Sequence, residues 1–313
     1  MKLLFINYEF PPLGGGGGRA SAQIARKMAE MGHRVTIITS AFQNLPEKEN
    51  TQGFEVIRIP TKRRYQEKCS IFEMTVFMLS AIFYSFWWAK KNRPDRVIAF
   101  FTLPSAPAAY VLKKVLGIPY LVSLRGGDVP GFMPEQLSVY HQVARPFIRT
   151  IWKNAQTVVA NSQGLKDLAQ KTDQHLPIAI VPNGVDTFFF NPTPLISLET
   201  KKEMPTKQIK EFRILSVGRL SSQKRVDLLL TAYAKIKPLM KHLAQLWIVG
   251  DGPLRDELED LAQKLGIAKE VCFLGWLEPE TLKKFYETAL AFHALRTAYV
   301  GQLIPAIQEA HQR

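Results

Sequence analysis

LLFINYEFPPLGGGGGRASAQIARKMAEMGHRVTIIT, residues 3–39, contains the pattern that decides the fold. The elements it predicts are a buried strand at residues 3–6, a helix at 21–31 and a second buried strand at 35–39. Within the helix, Ile24, Met28 and Met31 share one face, and Gly32 is placed to end it. A strand, a helix and a second strand in this order are typical of a parallel α/β sheet.

The same alternation continues through both halves of the chain. Further strands are predicted at residues 56–59, 97–100, 120–124 and 157–160. A second series of strands and helices follows over residues 214–288. Because residues 183–211 are rich in proline and lysine and lack periodicity, we place an interdomain connection there. We therefore predict an α/β fold with two Rossmann-like domains, at residues 1–182 and 212–313, facing each other across a cleft.

Composition limits the class of protein. A hydrophobic fraction of 46% with 22% charged residues is that of an ordinary globular protein, which argues against long disorder. The only two cysteines, Cys69 and Cys272, are far apart and indicate neither a disulfide framework nor a zinc site, which suits a reducing cytoplasm. The apolar start stops at Asn7 without a cleavage site, so we interpret it as a strand and not as a signal peptide.

Five consecutive glycines, at residues 14–18, stand between the first strand and the first helix. Such a run lets backbone N–H groups approach an anion, and the helix start adds the positive end of its dipole, so a phosphate site is one interpretation. The dinucleotide fingerprint of dehydrogenases fits less well, because the glycines begin seven positions beyond Asn7 and the second strand ends in Thr39-Ser40 without an acid. A flexible loop without a ligand is the remaining alternative.

Two further turns follow predicted strands in the second half. GRLSSQKR, residues 218–225, places Arg219 and Lys224 at the carboxyl end of a strand, where open α/β sheets bind ligands. The pair is suited to a diphosphate, although two solvated cations are the plainer alternative. GDGPL, residues 250–254, is the second turn, and its glycines and proline are explained as well by the needs of a tight turn as by a ligand site.

In this order and spacing the motifs resemble those of glycosyltransferase family 4, retaining enzymes of GT-B fold, over nearly the whole chain. The motifs are EFPP at 9–12 with the glycine run, MGHRV at 31–35, ANS at 160–162, PNGVD at 182–186, VGRL at 217–220, VGDGP at 249–253 and FLGW at 273–276. The resemblance implies transfer of a hexose from a nucleotide-diphosphate sugar, UDP- or GDP-linked, to a glycan or lipid-linked acceptor of cell-envelope polysaccharide synthesis, with retention of configuration.

The resemblance also implies roles for individual residues. Arg219 and Lys224 would hold the donor diphosphate, and the backbone at Gly15 and Gly16 would face the phosphates or the sugar from across the cleft. The residues implied near the nucleotide are Gly250, Asp251, Gly252, Pro253 and Glu309. Neither a metal nor a cofactor is expected, since no Asp-x-Asp loop occurs in the sequence.

One departure from the family pattern lies in SLRGGD, residues 123–128, where many relatives have His-Gly-x-Asp. Arg125 stays charged, so it cannot act as a proton shuttle. It would either hold an anionic sugar or phosphorylated acceptor, or form a buried ion pair with Asp128. We take Arg125 and Asp128 as the catalytic candidates.

A second departure lies at the end of the sequence. Val300 stands where the first glutamate of a Glu-x7-Glu motif is expected, and Glu309 comes one residue late for the second. The sequence then ends at Arg313, so we expect an incomplete second domain. The alternative to an active enzyme is therefore an inactive remnant that binds nucleotide sugars.

The remaining question is contact with a membrane. Residues 71–89 form an apolar run in which Glu73 is the only charge, with basic clusters at 62–64 and 90–93. We favour a helix in the core of the first domain over a helix lying on anionic headgroups, and favour a membrane span least.

Residues 1–150 carry 20 Lys and Arg against 10 Asp and Glu, but no nucleic-acid-binding motif accompanies them. We expect a cytoplasmic protein, with peripheral contact at the inner face of an anionic membrane as the alternative to a freely diffusing one, and no nucleic-acid partner.

Overall fold

The computed structural model describes residues 1–66, 69–132, 134–187, 189–190, 211–239, 243–288 and 291–293. The chain divides into two compact units, Met1–Gly184 and Val185–Arg313. Each contains a parallel sheet with crossover helices, as the alternating pattern predicts. Most of the predicted connection at 183–211 lies outside the described residues.

In the first unit one sheet contains every strand that the structure describes there. The strands are β1 (Lys2–Ile6), β2 (Arg34–Ser40), β3 (Lys48–Thr51), β4 (Phe54–Ile59), β5 (Arg96–Phe100), β6 (Tyr120–Ser123), β7 (Thr157–Ala160) and β8 (Ile178–Ile180). Their order in the sheet is β3-β4-β2-β1-β5-β6-β7-β8, and all neighbours are parallel except β3, which is antiparallel to β4. The order reverses between β1 and β5, and ligands of open α/β sheets bind at such a switch point.

Helices connect these strands and cover the sheet. They are α1 (Gly16–Glu30), α2 (Ile71–Asn92), α3 (Ala106–Leu116), α4 (Pro134–Asn154) and α5 (Gln163–Gln170). The apolar run that opens the sequence is the centre of the sheet, since Leu4, Phe5 and Ile6 have no exposed surface. β1 packs on both faces, as expected for a central parallel strand.

Helix α1 begins earlier than the sequence predicts. Its first residue is Gly16 and not Ser21, so the last glycines of the run form its first turn. The buried Asn7 side chain donates a hydrogen bond to Ser21 Oγ (2.8 Å), which donates to the Gly18 carbonyl (2.7 Å). These bonds hold the first turn against the end of β1. Glycine is required within it because a Cβ at Gly17 would lie 2.5 Å from the Phe101 ring.

Helix α2 is the crossover between β4 and β5, two parallel strands of one sheet. Its N-terminus has a capping box, in which Ser70 and Glu73 exchange hydrogen bonds, and Glu73 also accepts from the Arg64 N–H (2.9 Å). Among the described residues it is the one helix long and apolar enough to cross a membrane. Both of its ends join strands of the same sheet, so the structure has it as a helix of the first unit, packed on α3.

The second unit has a smaller parallel sheet. The strands described in it are β9 (Glu211–Val217), β10 (Leu243–Val249), β11 (Val271–Gly275) and β12 (Ala291–His293), in the order β11-β10-β9-β12. The helices are α6 (Val226–Ile236), α7 (Arg255–Lys264) and α8 (Pro279–Thr288). The core between α6 and the sheet is formed by apolar side chains such as Leu229, Tyr233 and Ile248.

Candidate functional site

In the second unit the loop after β9 carries the two cations that the sequence singles out. Arg219 lies in the loop itself, and Lys224 ends a short 3₁₀ turn, Ser222–Lys224, before α6. Both side chains are exposed, and neither forms a hydrogen bond or an ion pair with any residue that the structure describes. Two cations at the carboxyl end of a parallel strand are therefore available to an anionic ligand.

The next cation in the loop, Arg225, already forms an ion pair within the second unit. Arg225 donates to both carboxylate oxygens of Asp227, with Nε 3.1 Å from Oδ1 and one terminal nitrogen 3.0 Å from Oδ2. The hydrogen bond from Arg225 lowers the pKa of Asp227. This ion pair stabilises the start of α6. Of the three cations in the loop, Arg225 therefore has a structural role, while Arg219 and Lys224 have no partner among the described residues.

A small cavity of about 60 Å³ opens beside this loop, at the carboxyl ends of β9 and β10. Its lining residues are Ser216, Val217, Gly218, Leu220, Lys224, Val226 and Ile248. The Lys224 side chain runs over Gly218, whose ideal Cβ position lies 3.6 Å from the Lys224 Cδ. The Lys224 side chain thus forms one wall of the cavity.

The turn at residues 250–254 lies directly against this loop. The Gly218 N–H donates to the Val249 carbonyl (2.9 Å), and the Leu220 N–H donates to the Asp251 carbonyl (3.0 Å). In return the Leu254 N–H donates to the Leu220 carbonyl (3.2 Å). Turn chemistry is therefore only part of the role of GDGP, because its backbone also holds the cationic loop in place.

The close approach of the loop after β9 to the turn at residues 250–254 depends most on Gly250. Its φ is +127°, and a Cβ there would lie 2.0 Å from the Gly218 carbonyl oxygen. We expect Gly250→Ala to force the two loops apart and to destabilise the second unit by about 2–4 kcal/mol.

Thermal melting checks this expectation. Gly266→Ala is the matched control, since Gly266 also has a positive φ (+69°) but a Cβ there meets no atom within 4 Å. Gly266→Ala should cost only the backbone penalty, about 1 kcal/mol. Equal losses of melting temperature in the two variants would contradict the importance of the contact with Gly218.

The glycine run forms the candidate site of the first unit. Ideal Cβ positions at Gly15 and Gly16 meet no atom within 4 Å, so the backbone there faces open space. The Gly15 N–H donates to the carboxylate of Glu9 (3.3 Å), a residue of the EFPP motif to which the sequence analysis assigned no role in the site. The buried Arg63 fixes the preceding segment by donating to the Tyr8 carbonyl (3.1 Å). The loop is therefore held from outside while its middle stays accessible.

Asp128 joins the carboxyl ends of β5 and β6. It is 4% exposed, and Oδ2 accepts from the Thr102 N–H (2.7 Å) and hydroxyl (3.1 Å). Oδ1 accepts from the backbone N–H groups of Arg125 (2.9 Å) and Gly126 (3.0 Å). Burial raises the pKa of this carboxyl, and the hydrogen bonds from Thr102 and Arg125 oppose the rise. Both oxygens are thus used to hold the loop.

The side chain of Arg125 is hydrogen-bonded to Asn183 and not paired with Asp128. Its guanidinium donates to Asn183 Oδ1 (2.7 Å) and lies over the Phe100 ring, 5.0 Å from the centroid. A direct ion pair with Asp128, one of the two alternatives from the sequence, is therefore not the observed arrangement. The buried Arg125 Nε has no hydrogen-bond partner among the residues that the structure describes. Burial also lowers the pKa of Arg125, and the charge of Asp128 opposes this.

His141 is a buried titratable residue near Asp128 that the sequence analysis did not single out. It lies on α4 and is 3% exposed. Burial lowers its pKa, while a backbone hydrogen bond with Gly127 and the charge of Asp128 oppose the shift. A single histidine on an amphipathic helix gives no sequence signal that distinguishes it from a surface residue.

Two predicted features lie outside the described residues: Val300 and the candidate nucleotide ligand Glu309. Within the described part of the chain, no group of three or more His, Cys, Asp or Glu side chains is arranged to hold a metal ion.

Comparisons with known families match both units. The family model described as Glycosyltransferase Family 4 matches residues 14–188, and that described as Glycosyl transferases group 1 matches residues 199–298. An uncharacterized glycosyltransferase of Methanocaldococcus jannaschii is 28% identical over 307 residues, covering 92% of this chain and 73% of the relative. The alpha-monoglucosyldiacylglycerol synthase of Streptococcus pneumoniae is 23% identical, covering 94% of this chain but 66% of its own length.

Solved structures agree in fold. Sucrose-phosphate synthase from Thermosynechococcus elongatus superposes with a TM-score of 0.75 at 18% identity, covering 94% of this chain and 75% of that one. Anabaena HepE in complex with UDP and glucose superposes with a TM-score of 0.64 at 17% identity, covering 95% and 75%. This chain thus spans two thirds to three quarters of the length of these four proteins.

Proposed function

Since the chain belongs to glycosyltransferase family 4, we propose that it transfers a hexose from a nucleotide-diphosphate sugar to a hydroxyl group of a glycan or lipid-linked acceptor. Configuration at the anomeric carbon is retained in this proposal. The donor is a UDP- or GDP-linked sugar. The UDP and glucose in HepE support a nucleotide-sugar donor, and the lipid named in the pneumococcal synthase supports a lipid-linked acceptor.

The observation that carries the proposal is the pair of cations after β9, Arg219 and Lys224, whose side chains have no partner among the described residues. A nucleoside diphosphate brings at least two negative charges, which Arg219 can bind through two parallel hydrogen bonds and Lys224 as a compact charge. Their neighbour Arg225 is bound to Asp227, so it is not counted among the donor ligands. Exposed cations without an internal partner pay no cost of breaking an existing pair when the anion arrives.

The same pair has a role in the reaction. The bond between the anomeric carbon and the diphosphate oxygen breaks, and the acceptor oxygen bonds to that carbon from the face the diphosphate leaves. The acceptor hydroxyl proton passes to the departing diphosphate. Negative charge grows on the diphosphate during this step, so fixed cations beside it lower the barrier. Arg219 and Lys224 take that role in the proposal.

The first unit is assigned to the acceptor and to the transferred sugar. Gly15 and Gly16 expose backbone to open space, which suits close approach of a sugar or phosphate. Arg125 has a buried Nε without a hydrogen-bond partner in the described part of the chain, which suits an anionic acceptor group. Asp128 orients the loop that carries Arg125, through the hydrogen bonds to its backbone. Both remain predicted catalytic-site residues.

We propose that the reaction takes place in the cytoplasm, because the two cysteines of the sequence, Cys69 and Cys272, indicate no disulfide framework.

A ligand panel tests the proposal. Melting of the purified chain should be measured with UDP, GDP, ADP and NAD, followed by incubation with the matching nucleotide sugar and analysis of the product anomer. We expect one nucleoside diphosphate to stabilise the chain, by about 2.7 kcal/mol at a hundred times its dissociation constant, because it binds only the folded state. The product should keep the anomeric configuration of the donor.

Each other result has a clear meaning. Stabilisation without turnover would favour the inactive nucleotide-sugar-binding remnant. Stabilisation by NAD alone would favour a dehydrogenase. A folded chain that binds none of the four would contradict the donor site in the loop after β9.

A further inference from the structure

Helix α2 has two opposite faces, and both are apolar. The face buried in the first unit repeats every four residues through Phe77, Ala81, Ser85 and Ala89. On a helix of 3.6 residues per turn, the opposite face is formed by residues 72, 79, 83, 87 and 90. A surface helix of a globular protein normally carries polar residues on the side away from the core. This helix carries aromatic ones there.

The outer face is substantially exposed. Phe72 is 65%, Leu79 60%, Phe83 60% and Trp87 54% accessible. Phe83 and Trp87 contact each other edge to face, with ring centroids 6.3 Å apart, so they form a continuous surface. Scattered exposed apolar residues need no explanation, but a stripe along one helix indicates an interaction surface. We call Phe72, Leu79, Phe83 and Trp87 the α2 stripe.

Positive charge surrounds the α2 stripe. Lys90 continues it, with Nζ 5.4 Å from the centroid of the Trp87 ring. Lys62 and Arg64 are exposed before the helix, Lys91 is exposed in its last turn, and Arg93 is exposed directly after it.

Acidic residues are scarce in the same region. Residues 62–124, which include both basic flanks, α2 and α3, carry ten Lys and Arg but only three acids, Glu67, Glu73 and Asp95. Glu73 is buried and bonded to the backbone at Ser70 and Arg64, and Asp95 accepts from the Lys2 N–H (2.7 Å). The charge displayed around the helix is therefore positive.

We propose that the α2 stripe docks on the surface of a bilayer that contains anionic lipid. Aromatic side chains flanked by lysine and arginine are the composition of helices that lie in the headgroup region. The apolar side chains enter the boundary of the acyl chains, and the basic groups at both ends of α2 contact the headgroup phosphates. The crossover position keeps the helix parallel to its sheet, so it lies on the bilayer and does not cross it. This docking does not depend on the proposed reaction.

A second copy of the chain would be the other occupant of an apolar stripe. The positive charge argues against that occupant, because a symmetric contact through α2 would bring like charges together at both helix ends. An anionic bilayer matches both the apolar stripe and its basic flanks.

Vesicle sedimentation tests the proposal with the whole chain. Vesicles of phosphatidylcholine with and without phosphatidylglycerol should be compared at low and high salt. We expect binding to the anionic vesicles, at least about tenfold weaker binding to the neutral ones, and loss of most binding at high salt. Phe83→Ser with Trp87→Ser should weaken binding about tenfold or more, while the melting temperature stays within a few degrees.

Two sets of variants keep the result interpretable. Met31→Ser with Val143→Ser is the matched control, since these residues are 70% and 77% exposed and lie outside α2. This control should bind like the unchanged chain. If the stripe variant fails to fold, Lys90→Glu with Lys91→Glu provides the test, because it leaves the apolar residues in place and should weaken binding to anionic vesicles about tenfold.

Three outcomes would overturn the proposal. One is equal binding of the stripe variant and the unchanged chain. Another is equal binding to neutral and anionic vesicles. The third is an unchanged chain that is a dimer in light scattering and does not bind vesicles, together with a stripe variant that is a monomer. The α2 stripe would then be an interface between two copies of the chain.

Discussion

Replacing Arg219 and Lys224 together by alanine is expected to weaken nucleoside diphosphate binding by about a hundredfold or more. Hydrogen bonds to charged groups contribute about 1.5–3 kcal/mol each, and the two side chains have no other partner among the described residues to fall back on. Folding should be unaffected for the same reason. Titration calorimetry with the diphosphate from the ligand panel measures the loss.

A matched control separates a specific site from general charge. Lys235→Ala with Lys264→Ala removes the same charge from exposed positions on α6 and α7. This control should keep nearly all of the affinity. If both pairs lose affinity equally, the diphosphate is attracted only by the net charge of +14. If the Arg219 and Lys224 variant keeps its affinity, the diphosphate binds elsewhere.

The kinetics of single variants give a further distinction. Arg219→Ala or Lys224→Ala should lower kcat as well as raise KM, because charge on the diphosphate is greater in the transition state than in the bound donor. A change of KM alone would show that the cations bind donor and transition state equally.

Asp128→Ala is expected to destabilise the first unit by about 3–5 kcal/mol. It leaves the N–H groups of Thr102, Arg125 and Gly126 and the Thr102 hydroxyl without their acceptor. The Trp152 indole, which donates to that hydroxyl (2.8 Å), would lose its support as well. For a unit of this size the melting temperature should fall by about 6–20 °C.

Asp95→Ala is the control for Asp128→Ala. Asp95 is exposed and accepts the backbone N–H of Lys2, so its loss should cost less than about 1 kcal/mol. An Asp128→Ala variant that melts like the unchanged chain but lacks transfer would contradict the positioning role. It would instead place the carboxylate among the reacting groups.

The regular part of the fold was predictable from the sequence. The apolar runs that predict strands at 3–6, 97–100 and 157–160 correspond to β1, β5 and β7. Burial on both faces makes parallel strands continuous apolar runs, which is why these were recognisable. β3 was not predicted, since its sequence KENT is polar and it lies at the edge of the sheet.

The candidate site was predictable only in part. Glycine and cation spacing indicated both loops, because such spacing reflects local backbone geometry. The partners of those loops are set by tertiary contacts that spacing does not encode. Arg125 meets Asn183, 58 positions further along the chain, and Glu9 meets Gly15 only because the glycine run starts α1 early. Backbone contact between Gly218 and Gly250 likewise had no sequence signal beyond glycine itself.

The loop after β9 is fixed by its main chain and not by its side chains. Main-chain hydrogen bonds hold residues 218–220 against residues 250–254, so the shape of this corner depends little on its outward side chains. Ser221 and Gln223 are therefore open to mutation without collapse of this corner, whereas the Asp251 carboxylate accepts from the Gly252 N–H (2.8 Å) and belongs to the turn itself. Selection, or a directed-evolution library at Ser221 and Gln223, can alter which nucleotide sugar is accepted while the conformation that receives it is inherited unchanged.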